Sequence, residues 1–127
     1  MNHRLQQVGI ALFTVLLAIS GCERKSPTAP VGLLTSSEAQ HAGGITFATR
    51  CAICHGVNGD GRGLRHEALN PPPANLTLPP WSEEAGAGRT YLAIRHGVPG
   101  TAMAPWPELS DQEIWNVVAY ITTLKSQ

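Results

Sequence analysis

The stretch Cys51-Ala52-Ile53-Cys54-His55 constrains this chain more than any other part of it. Two thiols three positions apart, with a histidine directly after the second, form the attachment pattern of a c-type haem. Each sulfur can reach one vinyl group of a porphyrin, and the adjacent imidazole then stands beneath the iron. Other uses of two such cysteines ask for different surroundings. A thioredoxin-like pair sits near a βαβ pattern, and no strand-like alternation flanks these residues. A zinc site needs further ligands, for which His41, His66 and His96 are the neighbours. A disulfide between Cys51 and Cys54 is open to a protein in an oxidising compartment. Only haem attachment requires the trailing histidine.

A chain of 127 residues has room for one small domain, and such domains bury a limited share of their surface. A porphyrin in the middle would enlarge that core. Nine basic and nine acidic residues balance, and no stripe of Lys and Arg forms, which speaks against nucleic acid as a partner. No acid–base pair or nucleophile arrangement calls for substrate turnover, so the chain reads as an electron-transfer protein rather than an enzyme.

The third cysteine, Cys22, belongs to a different argument. His3 and Arg4 precede an apolar run from Val8 to Ile19, the charged and hydrophobic regions of an export signal. That run is shorter than the roughly 20 residues needed to span a bilayer. Ile19-Ser20-Gly21-Cys22 resembles the lipobox of bacterial lipoproteins, in which the cysteine is lipidated and becomes the mature N-terminus. Ordinary cleavage at a small-residue site is the competing reading. Residues 1–21 are therefore expected as a lipoprotein-type signal peptide, with the protein held to the membrane by lipid on Cys22 and facing outside the cytoplasm, on the periplasmic side. Residues 22–35 carry Pro27 and Pro30 without apolar periodicity and read as a flexible tether able to hold the domain tens of ångströms from the membrane, at about 3.3–3.6 Å per residue. The domain is expected over 36–127.

Within it, Ser37-Glu38-Ala39-Gln40 has the form of a capping box and predicts a helix running to about Ala52. Gly43, Phe47 and Cys51 share one face of that helix, so the bare glycine could admit another helix crossing closely. The glycine-rich stretch after His55 predicts an irregular turn. Pro71-Pro72-Pro73 predicts an extended segment whose carbonyls could accept from the second ring nitrogen of His55. Ser82 is a candidate N-cap ahead of a short helix over Arg89 to His96, closed by Gly97. Met103 follows in a Pro- and Gly-punctuated loop, which makes it the candidate sixth iron ligand, with His96 as the rival. Ser110 with Glu113 forms a second capping box, Leu109 with Ile114 a hydrophobic staple, and Ile114, Val117, Val118, Ile121 and Leu124 repeat at helical spacing. Tyr120 is expected near the crossing with Gly43 and Phe47.

From about residue 38 to 125 the chain resembles the class I cytochrome c family. The resemblance rests on Gly43-x3-Phe47-x3-Cys51, on Cys51-x2-Cys54-His55-Gly56, on the Gly59-Asp60-Gly61 turn, on the proline run, on Gly97-x2-Gly100-Thr101-x-Met103, and on Trp115 to Tyr120. Ala104 stands where the family usually has proline after the methionine, and Pro105 follows. The resemblance implies an all-α fold, three main helices around one covalently attached haem c, with the N- and C-terminal helices crossing. It also implies thioethers from Cys51 and Cys54, iron held by His55 and Met103, and an exposed haem edge. The expected role is a monohaem carrier of single electrons between membrane-associated respiratory oxidoreductases. A haem subunit of a larger complex and an open-site haem protein binding peroxide, CO or NO are the alternatives.

Overall fold

The computed structural model describes residues 26–125, and Cys22 with the expected signal segment lies outside them. Among the described residues the regular structure is entirely helical. Helix α1 spans Ser37–Thr46 and continues without a break through one wide turn, Phe47–Cys51, into α2, Ala52–His55. In that turn the Ala52 N–H reaches back five residues to the Phe47 carbonyl, which rotates Cys51 relative to a regular helix. The other two main helices are α3, Ala87–His96, and α4, Asp111–Ile121. The α1–α2 rod, α3 and α4 are thus the three expected helices.

The rod starts one residue earlier than the capping box suggests. Ser36 is the cap, accepting from the Ala39 N–H at 3.3 Å, and Gln40 turns back to donate to the Leu34 carbonyl at 2.8 Å. Either serine could have capped this end; the first does, two residues after Leu34 enters the core. Ser82 does not cap: it is buried, and the residue entering α3 is Gly86, after a short turn over Glu84–Gly86. At α4 the capping box forms as the sequence suggests, while the helix ends at Ile121 and leaves Leu124 beyond it. Ser110 accepts from the Glu113 N–H at 3.3 Å, and Glu113 accepts from the Ser110 N–H at 2.8 Å.

The core forms where α1 crosses α4. Gly43 is pressed so closely on the Asn116 carbonyl that a Cβ there would overlap it. That bare contact lets Phe47 pack beside the crossing, with its ring centroid 5.2 Å from that of Tyr120. Phe47, Ile114, Val117 and Val118 are fully buried. Helix α3 joins α4 through a stack of Tyr91 on Trp115, centroids 4.5 Å apart. The Tyr91 hydroxyl donates to Asp111 at 2.6 Å, and Arg95 pairs with the same carboxylate.

Residues 26–35, read from sequence as part of the tether, lie on the domain. Pro30 and Leu33 close a turn, Leu33 N–H to Pro30 carbonyl at 3.1 Å, and Leu34 is buried. Among the described residues no helix is long and apolar enough to cross a membrane.

Candidate haem site

One cavity of about 400 Å³ brings the sequence-predicted residues together. Cys51, Cys54, His55 and Met103 all line it, and the rest of its wall is largely apolar, with Phe47, Leu76, Ile94, Val117 and Ile121 among the buried contributors. The volume is within the usual range for a small-molecule site, about 300–1,000 Å³. Its walls come from all three helices and from the loops between them. A flat apolar ring system that can accept two thiols and, at its metal, a nitrogen donor suits that lining.

The end of the rod positions the motif. Gly56 stops α2 with φ 81°, a value that favours glycine, and the chain folds back beneath the motif. The Gly61 N–H donates to the His55 carbonyl at 2.8 Å and the Gly63 N–H to the Cys54 carbonyl at 3.0 Å. The glycine-rich stretch is therefore a backbone clamp on the motif, and Leu76 N–H, donating to the Gly59 carbonyl at 2.7 Å, ties the segment after the prolines to it.

That segment fixes the imidazole. His55 Nδ1 lies 3.1 Å from the Ala74 carbonyl. A carbonyl oxygen can only accept, so Nδ1 carries the proton and Nε2 keeps its lone pair for a metal. The partner is the residue after the proline run rather than a proline. Burial pulls the His55 pKa below its usual 6.5, outweighing the opposite pull of the Ala74 bond. The neutral imidazole, the form that binds metal, is the one this site favours.

The thiols are free in the chain itself. Burial pushes the Cys51 pKa up to about 11, opposed by Arg50 and reinforced by Cys54. Reactive CxxC pairs of redox enzymes work with lowered thiol pKa values, so this environment does not suit thioredoxin-like exchange. The zinc reading fails on placement: His41 and His96 are exposed and outside the cavity, and His66 turns Nδ1 to the Gly63 carbonyl at 2.8 Å. Among the described residues no three His, Cys, Asp or Glu side chains gather as a metal site.

Met103 is held by its loop. Gly97 ends α3 with φ 70°, and a Cβ there would press on the Met103 carbonyl at 2.6 Å. The Val98 N–H donates to that same carbonyl at 2.9 Å. The Thr101 hydroxyl donates to the Val98 carbonyl at 2.8 Å and accepts the Met103 N–H at 3.1 Å. The rival His96 lies on the exposed end of α3.

Several wall residues went unremarked in the sequence. Thr90, Ala93 and Ile94 of α3 line the cavity, a spacing of three and four that a helical reading could have found. Trp81, Trp106, Arg50 and Arg65 line it from loops and helix ends, where no periodicity marks them. Arg50 and Arg65 are the charged members of the wall; Arg50 is 3.2 Å from Glu108 and lies over Trp106 at 5.9 Å.

A family model described as cytochrome c matches residues 41–125. Among solved structures, the chain is similar to one from the Kuenenia stuttgartiensis reducing HAO-like protein complex Kustc0457/Kustc0458, with a TM-score of 0.55 and 26% identity. The match covers 71% of this chain and 42% of that one, so this chain spans less than half the length of that relative.

Proposed function

The chain belongs to the cytochrome c family and binds haem c covalently, Cys51 and Cys54 fitting the attachment motif, and from that premise we propose that it carries single electrons between membrane-associated oxidoreductases outside the cytoplasm. When bound, the haem supplies one-electron chemistry at its iron. The observation that carries the reading is the convergence of Cys51, Cys54, His55 and Met103 on one largely apolar cavity. His55, with Nδ1 engaged by Ala74, would give the metal its Nε2. Met103 would give a thioether, a ligand that raises the reduction potential and would close the position where a small molecule binds. The apolar wall excludes water and so also favours the less charged, reduced state. Lipid on Cys22 would keep the carrier at the membrane where its partners are.

The test is to add reduced, lipidated holoprotein to respiratory membranes from its own cell. Re-oxidation of one electron per haem, with negligible CO binding by the reduced protein, is expected. Failure of the membranes to exchange electrons with it, together with CO binding or peroxide turnover, would replace the carrier with an open-site haem protein.

A fixed haem subunit of a larger oxidoreductase is the second reading, favoured by the likeness to a protein of an HAO-like complex. Purification in mild detergent with native lipid separates the two. A carrier elutes alone, and a subunit co-migrates with stoichiometric partners.

A further inference from the structure

Only Glu23, Arg24 and Lys25 separate Cys22 from Ser26, and from Ser26 onward the chain lies on the domain. Pro27 runs over α3 so closely that a Cβ on Gly88 would overlap its carbonyl. Ala29 and Leu33 pack against the core, Leu34 is buried in it, and the Gln40 amide holds the Leu34 carbonyl at 2.8 Å. This strap shortens the leash. An extended chain covers at most about 3.6 Å per residue, so four steps place Ser26 within about 14 Å of Cys22.

Helix geometry says which side the leash leaves from. At about 100° per residue, Thr90, Ala93 and Ile94 lie about 200°, 140° and 240° round α3 from Gly88. Those three residues line the haem cavity. The strap therefore covers the side of α3 turned away from the haem. It also carries an apolar side chain of its own, Val31, fully exposed at the turn that Gly32 makes with φ 76°.

We infer that a lipid bilayer is the partner of this back face: the strap lies against the membrane, and the mouth of the haem cavity opens toward the aqueous side, where the redox partner docks. The inference rests on the proposed lipidation of Cys22. It makes the orientation of the carrier a property of the fold, since the strap leaves too little chain for the domain to turn its other side to the bilayer.

Lipidated holoprotein in vesicles of phosphatidylethanolamine and phosphatidylglycerol provides the test. A nitroxide is placed on Thr28→Cys in the strap or on Arg65→Cys, which is exposed at the cavity wall. Relaxation by a nickel chelate carried on lipid headgroups is then measured. Severalfold stronger relaxation at position 28 than at 65 is expected, and a long Gly/Ser insertion after Arg24 should remove the difference while the protein still floats with the vesicles. Equal relaxation at the two positions in the original protein, or a difference that survives the insertion, overturns the inference and leaves lipidation standing. If the original protein does not float with vesicles, lipidation and the inference fall together.

Discussion

Replacing Gly43 with alanine sets two effects against each other at the helix crossing. Alanine favours a helix over glycine by about 1 kcal/mol. The added methyl, however, has no room: it would overlap the Asn116 carbonyl and press on the Val117 nitrogen. Overpacking typically costs about 1–3 kcal/mol, and here the obstacle is the backbone of a buried helix, which cannot rotate aside. We expect the upper end, a net loss of about 2 kcal/mol after the propensity gain. For a domain of this size about 4–8 °C follows each kcal/mol, so the melting temperature should fall by about 8–16 °C. Gly44 is the internal control. A methyl there meets the Tyr120 ring at 3.1 Å, and a half-exposed ring can turn, so Gly44→Ala should lie within about 1 kcal/mol of the original protein. Reversible thermal unfolding of the ferric holoproteins, followed by far-UV circular dichroism and Soret absorbance, gives both numbers. Because Val117 and Ile121 line the haem cavity, displacement of α4 should also shift the Soret band of Gly43→Ala before unfolding. A Gly43→Ala protein as stable as Gly44→Ala would refute the argument that close approach, not turn-making, is the reason for this glycine.

Three further outcomes are expected. Thr101→Val removes a hydroxyl that bridges Val98 and Met103, and with Ala104 in place of a loop-stiffening proline it should lower the reduction potential and admit CO at neutral pH, while Thr101→Ser restores both; CO titration and potentiometry check this. Ser110→Ala breaks the capping box of α4 and should destabilise by about 1 kcal/mol in urea unfolding. The Tyr91 hydroxyl and then Arg95 hold the Asp111 carboxyl below its usual 3.8; the native state then binds that proton more weakly than the unfolded chain, so the contribution is present above 3.8 and lost as pH falls through the lower folded value. Asp111→Asn should accordingly flatten the fall in stability below pH 3.8 and leave its slope at neutral pH unchanged.

What the sequence discloses here is what local rules control. Ser110 and Glu113 form their box from within four residues, and the heptad-like spacing of Ile114, Val117, Val118 and Ile121 needs only one partner surface. Gly43, Phe47 and Cys51 were readable as a face because helical spacing survives as far as Phe47. The wide turn after it was not, since nothing in the residues Phe47–Cys51 marks a departure from a regular helix. The partner of His55 escaped for a related reason: any carbonyl at the right place serves, and the chain delivers Ala74 rather than a proline. The strap was hidden because its contacts are made by a Pro- and Ser-containing stretch without periodicity. Its trace in sequence is Gly88, a glycine inside a helix where alanine would otherwise be preferred. Arg50, Arg65, Trp81 and Trp106 reach the cavity from separate loops and ends, and only the closed tertiary structure brings them to one wall.

His55 and Met103 line the same cavity and are the two residues proposed to hold the haem iron. The most direct measurement is the absorption spectrum of the oxidised holoprotein beside that of Met103→Ala. A weak thioether-to-iron charge-transfer band is expected in the original protein and should be lost in the variant, accompanied by CO binding in the reduced state. Absence of that band from the original protein, or identical spectra for the two, would contradict the proposal and transfer the sixth position to another group or to none.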